Sequence, residues 1–107
     1  KHAVGVTSGT AAISLALMGL GIGRGDEVLV PDLTFVATAN AVVMTGAEVR
    51  LVDVEPQRFG IDPALAEAAI GPRTRALVPV PAQMEQRIGR DLIQAIYRAT
   101  GFDPDRL

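Results

Sequence analysis

Short apolar runs alternate with stretches of helical periodicity along the first 80 residues. Runs of Val, Leu and Ala are typical of buried strands, whereas apolar residues that recur every three or four positions indicate helices. The predicted strands are Ala3–Val6, Glu27–Val30, Glu48–Val54 and Arg75–Val80, and the predicted helices are Thr10–Leu20, Phe35–Met44 and Pro63–Ile70. This alternation predicts an α/β domain with right-handed crossovers and a mostly parallel sheet covered by helices.

Turn and capping residues mark the ends of these elements. Asp62 followed by Pro63 is typical of a helix N-cap and first helical position, and Asp32 or Thr34 is the candidate cap of the preceding helix. Glycines that can supply left-handed backbone for a C-cap and turn mark the end of the first helix, at Gly19, Gly21, Gly23 and Gly25. The last three follow a helix rather than a strand, so they do not form a dinucleotide-binding fingerprint.

The pattern changes after Val80, where prolines at positions 79 and 81 interrupt the chain. Residues 83–100 have the pattern of an amphipathic helix, with an apolar stripe at Met84, Ile88, Leu92 and Ile96. Such a stripe usually packs on a core, and partner binding is the alternative. The sequence therefore divides into an α/β domain at residues 1–80 and an amphipathic helical tail at residues 81–107.

Composition limits the kind of protein. At 107 residues, 49% of them hydrophobic, the chain has room for one domain. A net charge of −2 with interspersed signs disfavours nucleic-acid and membrane partners. The lack of cysteine excludes disulfides and thiolate metal sites and fits a cytoplasmic location. We expect no signal peptide, and these residues contain no apolar run long enough to span a membrane. The abrupt start without Met suggests a piece of a longer protein.

The basic residues carry a second restriction. Lys1 is the one lysine, and the nine other basic residues are arginines. A mechanism that needs an internal lysine is therefore excluded for this chain, and we assign it no catalytic residue. The single histidine, His2, has no identifiable partner, and Asp53 is better explained as a loop-organising carboxylate than as part of a metal site, so no metal site is predicted.

Ser8, Gly9 and Thr10 stand where the first predicted helix begins. The start of a helix has four backbone N–H groups without intrahelical partners and a positive dipole end. Small residues let an anion approach these groups, and two hydroxyls add donors, which is the chemistry of a phosphate site. An ordinary Ser or Thr N-cap is the alternative explanation.

Phe35 follows the carboxyl end of a predicted strand, where ligands bind in open α/β sheets. Its ring is either part of the core or free to stack on an aromatic ligand.

Asn40 stands in the middle of the predicted helix Phe35–Met44, where asparagine is unfavourable, and this suggests a specific hydrogen bond.

Five motifs together resemble the sugar aminotransferases of the DegT/DnrJ/StrS type. They are Lys1–Ala12, Gly25–Val28, Val30–Pro31 with Thr34–Ala41, Val52–Val54 with Ile61–Pro63, and Pro72–Ala76. Their order and spacing match across about residues 1–80. The resemblance implies part of the large domain of a fold type I transferase that depends on pyridoxal 5′-phosphate (PLP).

The resemblance also implies roles for particular residues. Ser8, Gly9 and Thr10 would hold the cofactor phosphate, and Phe35 would stack on the pyridine ring. The parent enzyme would be a homodimer that moves an amino group from an amino donor to a keto-sugar linked to a nucleotide. The family's Schiff-base lysine comes from a segment absent here, so this chain alone is expected to be inactive. The alternative is a non-catalytic α/β module, decayed or engineered, with at most phosphate binding.

Overall fold

A computed structural model of the chain describes residues 2–80. Within this range the elements, in chain order, are α1 (Gly9–Gly19), β1 (Glu27–Pro31), α2 (Val36–Val43), β2 (Glu48–Val52), α3 (Pro63–Ala69) and β3 (Thr74–Leu77). The predicted alternation of helix and strand is confirmed from the first helix onward. No helix among residues 2–80 has the length and hydropathy needed to cross a bilayer. The helix predicted at residues 83–100 lies outside the described residues.

The strands form a parallel sheet in the order β2–β1–β3. β1 pairs with β2 along its whole length and with β3 over its first three residues, with one irregularity after Glu27. The connection through α2 joins β1 to β2, its neighbour on one side. The connection through α3 starts from β2, passes across β1 and ends at β3, the neighbour of β1 on the other side. Right-handed crossovers in opposite directions place their helices on opposite faces of a sheet, so α2 and α3 cover different faces.

Two apolar clusters, one on each face of the sheet, form the core. The first joins α1 and α2 to β1 and contains Leu17, Ile22, Val28, Val30, Val42 and Ala47. The second joins α3 to the sheet and contains Leu29, Val52, Ile61 and Ala66. Alternate residues of β1 pack into the clusters on the two faces, which explains why its apolar run is continuous and wholly buried.

Residues 3–6, which the apolar pattern predicts to be a strand, do not form one. Val4 is 85% exposed, and the described sheet consists of β2, β1 and β3. A strand needs backbone partners as well as apolar side chains, and none of the described strands pairs with this segment. The prediction of four strands in residues 1–80 is therefore wrong at its first strand.

Glycines end α1 in the way the sequence predicts. Gly21 and Gly25 adopt positive φ angles of 74° and 94°. The Gly21 N–H donates to the Met18 carbonyl oxygen at 2.9 Å, and the Ile22 N–H donates to the Leu17 carbonyl oxygen at 3.0 Å. This pair of bonds is a Schellman motif, with the buried Leu17 and Ile22 as its apolar contact.

The predicted start of α3 is confirmed. Asp62 is its N-cap, and the Asp62 Oδ1 accepts hydrogen bonds from the backbone N–H groups of Ala64 (2.8 Å) and Leu65 (3.2 Å). Pro63 occupies the first helical position, where its missing N–H costs nothing.

The predicted cap of α2 is wrong. Phe35 stands at the N-cap position and its side chain makes no capping bond, so neither Asp32 nor Thr34 caps this helix. The Thr34 hydroxyl lies 3.4 Å from the Thr38 hydroxyl instead. The first turn of α2 therefore lacks the side-chain cap that α1 and α3 have.

A buried polar network ties the three strands together at the amino edge of the sheet. Glu27, at the start of β1, is 7% exposed, and its Oε1 accepts a 2.8 Å hydrogen bond from the Thr74 hydroxyl. That hydroxyl oxygen also accepts the Gly71 N–H at 2.9 Å. The Glu27 Oε2 lies 3.6 Å from the Arg50 guanidinium, whose side chain is 52% exposed, so this ion pair contributes less than the buried hydrogen bonds.

We expect Thr74→Val to destabilise the chain by about 1–3 kcal/mol, because it leaves a buried carboxylate oxygen and the Gly71 N–H without partners. The measurement is urea denaturation followed by circular dichroism. Thr34→Val is the control, since the Thr34 hydroxyl makes a single long contact. Equal losses in the two variants would show that the network does not hold the strands together.

Candidate functional site

The start of α1 has a side-chain cap and two free backbone donors. Ser8 is extended (φ −160°, ψ 162°), and its Oγ accepts the Ala11 N–H at 3.1 Å, so Ser8 is the N-cap that the alternative explanation of this segment expects. The Ala12 N–H donates to the Ser8 carbonyl oxygen at 3.0 Å. The N–H groups of Gly9 and Thr10 have no hydrogen-bond partner among residues 2–80.

These donors are accessible to a ligand. Ser8 and Gly9 are exposed and Thr10 is half-buried. A Cβ added at Gly9 would meet nothing within 4 Å. Because helical Cβ atoms tilt toward the N-terminus, this open space lies on the side from which an anion would approach. The Ser8 hydroxyl accepts the capping bond through a lone pair and keeps its own hydrogen for a ligand. The helix start is therefore an N-cap and also has the donors that bind an anion.

Phe35 lies at the start of α2 with its ring exposed. The residue is 78% exposed, so it is not part of the core of the described residues. Its neighbours Leu33 and Val36 are also exposed, at 55% and 62%. An apolar ring held at a helix start is available to stack on a planar ligand.

The starts of α1 and α2 lie at the same edge of the sheet. α1 is joined through its C-terminus to the amino end of β1, whereas α2 leaves the carboxyl end of β1. The turns that follow the two helices touch, since a methyl group at Gly23 would lie 3.3 Å from the Thr45 carbonyl oxygen and one at Gly46 would lie 3.6 Å from the Arg24 nitrogen. With their ends together at the amino edge, both helices begin at the carboxyl edge. The structure thus places Ser8, Gly9, Thr10 and Phe35 at the carboxyl edge of the sheet.

The other residues singled out from the sequence have local roles or exposed positions. The Asp53 Oδ1 accepts the Val54 N–H at 2.8 Å, which agrees with a loop-organising carboxylate. His2 and Asn40 are exposed, and the side chain of Asn40 forms no hydrogen bond within the described range, so the expected specific bond is not found. Residues 2–80 contain no group of three or more His, Cys, Asp or Glu that could hold a metal ion.

One polar residue next to this site was not predicted. Ser14 lies in the middle of α1, is 4% exposed and donates across to α2, where its Oγ is 3.0 Å from the Ala41 carbonyl oxygen. The available signal was a serine on the inward side of an otherwise apolar helix. Its partner was not foreseeable, because the pairing of the two helices is not visible in the sequence.

A family model described as the DegT/DnrJ/EryC1/StrS aminotransferase family matches residues 1–85. The chain belongs to this family. The match includes both helix starts of the candidate site and all three described strands. Residues 86–107 lie beyond it.

Several known proteins resemble the chain over a limited part of their own length. GDP-perosamine synthase of Caulobacter vibrioides is 52% identical over 80 residues, which are 75% of this chain and 22% of that protein. The crystal structure of S. venezuelae DesV with a ketimine intermediate is 45% identical with a TM-score of 0.83, over 95% of this chain and 27% of that one. Bacillus subtilis NtdA with bound PMP is 38% identical with a TM-score of 0.77, over 90% of this chain and 22% of that one. The chain thus spans about a fifth of the curated relative.

We expect Ser8→Ala to lower the free energy of unfolding by about 0.5–2 kcal/mol, because the Ala11 N–H loses its capping acceptor. Urea denaturation of the variant beside the parent chain measures this. Thr7→Ala is the matched control, since the Thr7 hydroxyl is exposed and makes no hydrogen bond with the rest of the described chain. A loss as large in the control would contradict a specific capping role.

Proposed function

We propose that this chain carries the phosphate-binding and ring-stacking part of the PLP site of a sugar aminotransferase. The observation that carries the proposal is the pair of N–H groups at Gly9 and Thr10, which no group of the described residues bonds. They lie beside open space and at the same sheet edge as the exposed ring of Phe35. Family membership supports the same conclusion, because PMP, the amine form of this cofactor, is bound in the related NtdA.

The start of α1 fits a phosphate monoester by its chemistry. Two backbone N–H groups and the hydroxyls of Ser8 and Thr10 offer donors to the phosphate oxygens. α1 has no acidic residue in its first turn, so no carboxylate of the helix opposes the anion. Gly9 lets the phosphate approach the backbone closely.

Phe35 fits the other end of the cofactor. A flat apolar ring would lie against the pyridine ring and limit its rotation about the phosphate tail. When bound, PLP supplies an electron sink that allows an amino group to leave one substrate and enter another. The residues described here would bind and orient the cofactor. The lysine that attaches it covalently would have to come from outside this sequence, because Lys1 is its single lysine and the family's Schiff-base lysine is expected well downstream of these residues.

For the whole protein, we propose transfer of an amino group from an amino donor to a keto-sugar linked to a nucleotide, by a cytoplasmic homodimer. The related GDP-perosamine synthase is named for a product that is linked to a nucleotide, GDP. Family membership over residues 1–85 supports the reaction type. The chain alone is expected to bind the phosphate end of the cofactor and to be inactive in transamination.

We expect Gly9→Ala to weaken binding of inorganic phosphate by at least about tenfold, because the new methyl group enters the space in front of the free N–H groups. The free energy of unfolding should change by less than about 1 kcal/mol, since no atom beyond the neighbouring residues and the backbone of α1 itself lies within 4 Å of the methyl group. Phosphate titration followed by NMR shifts of the amides of residues 9–11 measures the affinity.

The matched control for this substitution is Gly19→Ala. Gly19 is in the same helix, is equally unobstructed and lies at the far end from the site. We expect its phosphate affinity to equal that of the parent chain. If phosphate shifts no amide at the start of α1 in the parent chain, the proposed function is wrong.

We expect Phe35→Leu to weaken PMP binding by about three- to tenfold while leaving phosphate binding unchanged, since loss of aromatic stacking costs about 0.5–1.5 kcal/mol. PMP is the suitable probe because it has no aldehyde to react with Lys1. The control is Phe59→Leu, which changes the other exposed phenylalanine of the described chain, in the loop after β2. Equal PMP affinity in the Phe35 variant and the parent would exclude stacking by this ring.

A further inference from the structure

Ser14 makes a buried hydrogen bond that joins the two helices of the candidate site. Its side chain is on the inward face of α1, and the residue is 4% exposed. The hydroxyl lies 3.0 Å from the Ala41 carbonyl oxygen in α2 and 3.1 Å from the Thr10 carbonyl oxygen one turn earlier in its own helix. The sulfur of Met44 lies further away, at 3.9 Å.

The Ala41 carbonyl depends on this hydroxyl. At the end of α2 the Met44 N–H donates to the Asn40 carbonyl oxygen at 2.9 Å, but the next N–H, that of Thr45, donates to the Val42 carbonyl oxygen at 2.9 Å. The bonding pattern thus changes from four residues to three in the last turn. As a result, the Ala41 carbonyl accepts no backbone N–H from the residues around this turn. Ala41 is fully buried, so without Ser14 its oxygen would have no donor among the residues that the structure describes.

The Thr10 carbonyl does not depend on Ser14 in the same way. It belongs to the first turn of α1, where the regular helical pattern gives it the backbone N–H four residues later. A hydroxyl has a single hydrogen to donate. The Ala41 carbonyl is therefore the partner that gains most from it.

The bond also joins two positions that lie equally far from the starts of their helices. Ser14 lies five residues after Gly9, the first residue of α1, and Ala41 lies five residues after Val36, the first residue of α2. At 1.5 Å per residue, both are about 7.5 Å along their helices. A bond between these two positions keeps the two helix starts level at the carboxyl edge of the sheet.

We propose that Ser14 is a positioning residue, which fixes the phosphate-binding start of α1 relative to Phe35 at the start of α2. It touches no ligand and acts through the Ala41 carbonyl. The inference rests on the proposed function, because the alignment matters only if one ligand uses both helix starts. A ligand that contacts α1 alone should bind with the same affinity whether or not the Ser14 bond is present.

The test compares two ligands on the full chain. In Ser14→Ala, PMP spans both helix starts and should bind roughly tenfold more weakly, since preorganisation is lost. Inorganic phosphate needs the start of α1 alone and should bind within about twofold of the parent chain. Ser14→Cys, which keeps the size and a weak donor, should give an intermediate loss of PMP affinity.

Thr45→Ala is the matched control. Its hydroxyl donates to the Val42 carbonyl oxygen at 2.7 Å and accepts the Ala47 N–H at 3.2 Å, so the variant loses hydrogen bonds at the end of α2 without separating it from α1. Both affinities should stay at the parent values. Equal loss of PMP and phosphate binding in Ser14→Ala, or no loss of PMP binding, would overturn the positioning role.

A second measurement needs no ligand. The chain has no cysteine, so a nitroxide on Leu33→Cys, an exposed site before α2, labels one position. Its paramagnetic broadening of the Gly9 and Thr10 amides should change in Ser14→Ala and stay constant in Thr45→Ala. Unchanged broadening in Ser14→Ala would refute the alignment even if the proposed function holds. A parent chain that binds neither ligand would refute the proposed function, and the positioning role with it.

Discussion

The parallel pairing of β1 with β2 on one side and with β3 on the other determines where every described helix lies. Parallel neighbours need crossover connections, and the right-handed rule places α2 on one face and α3 on the other. α1 enters from the same face as α2, as their shared core cluster shows. Both helices therefore run opposite to β1 and begin at its carboxyl end. The candidate site is a consequence of this pairing, since neither helix alone places backbone donors and an exposed aromatic ring at the same edge of the sheet.

Local signals in the sequence predicted the elements whose ends depend on their own residues. The start of α3 follows from Asp62 and Pro63, because an acidic cap and a proline act within one turn. The end of α1 follows from Gly21, where a positive φ is needed to close the Schellman motif. Ser8 was foreseeable for the same reason, since its capping bond reaches three residues along the chain.

The errors and omissions involve contacts between distant residues. Residues 3–6 have the apolar pattern of a strand, but a strand forms only where another strand offers its backbone. Phe35 could belong to a core or to a site on sequence grounds, and only its exposure in the fold separates the two. Ser14 and Ala41 are 27 residues apart, and their bond exists because the last turn of α2 leaves one carbonyl unpaired.

The two edges of the sheet differ in how their polar groups are satisfied. At the amino edge, buried and half-buried groups bond to one another, as with Glu27 and Thr74, or Asp26 and the Gly23 N–H at 3.0 Å. At the carboxyl edge, the N–H groups of Gly9 and Thr10 have no partner within residues 2–80. Closed networks stabilise a fold, whereas free donors at a helix start are costly unless water or a ligand meets them. The described fold thus pairs its polar groups with one another at one edge of the sheet and leaves backbone donors for water or a ligand at the other.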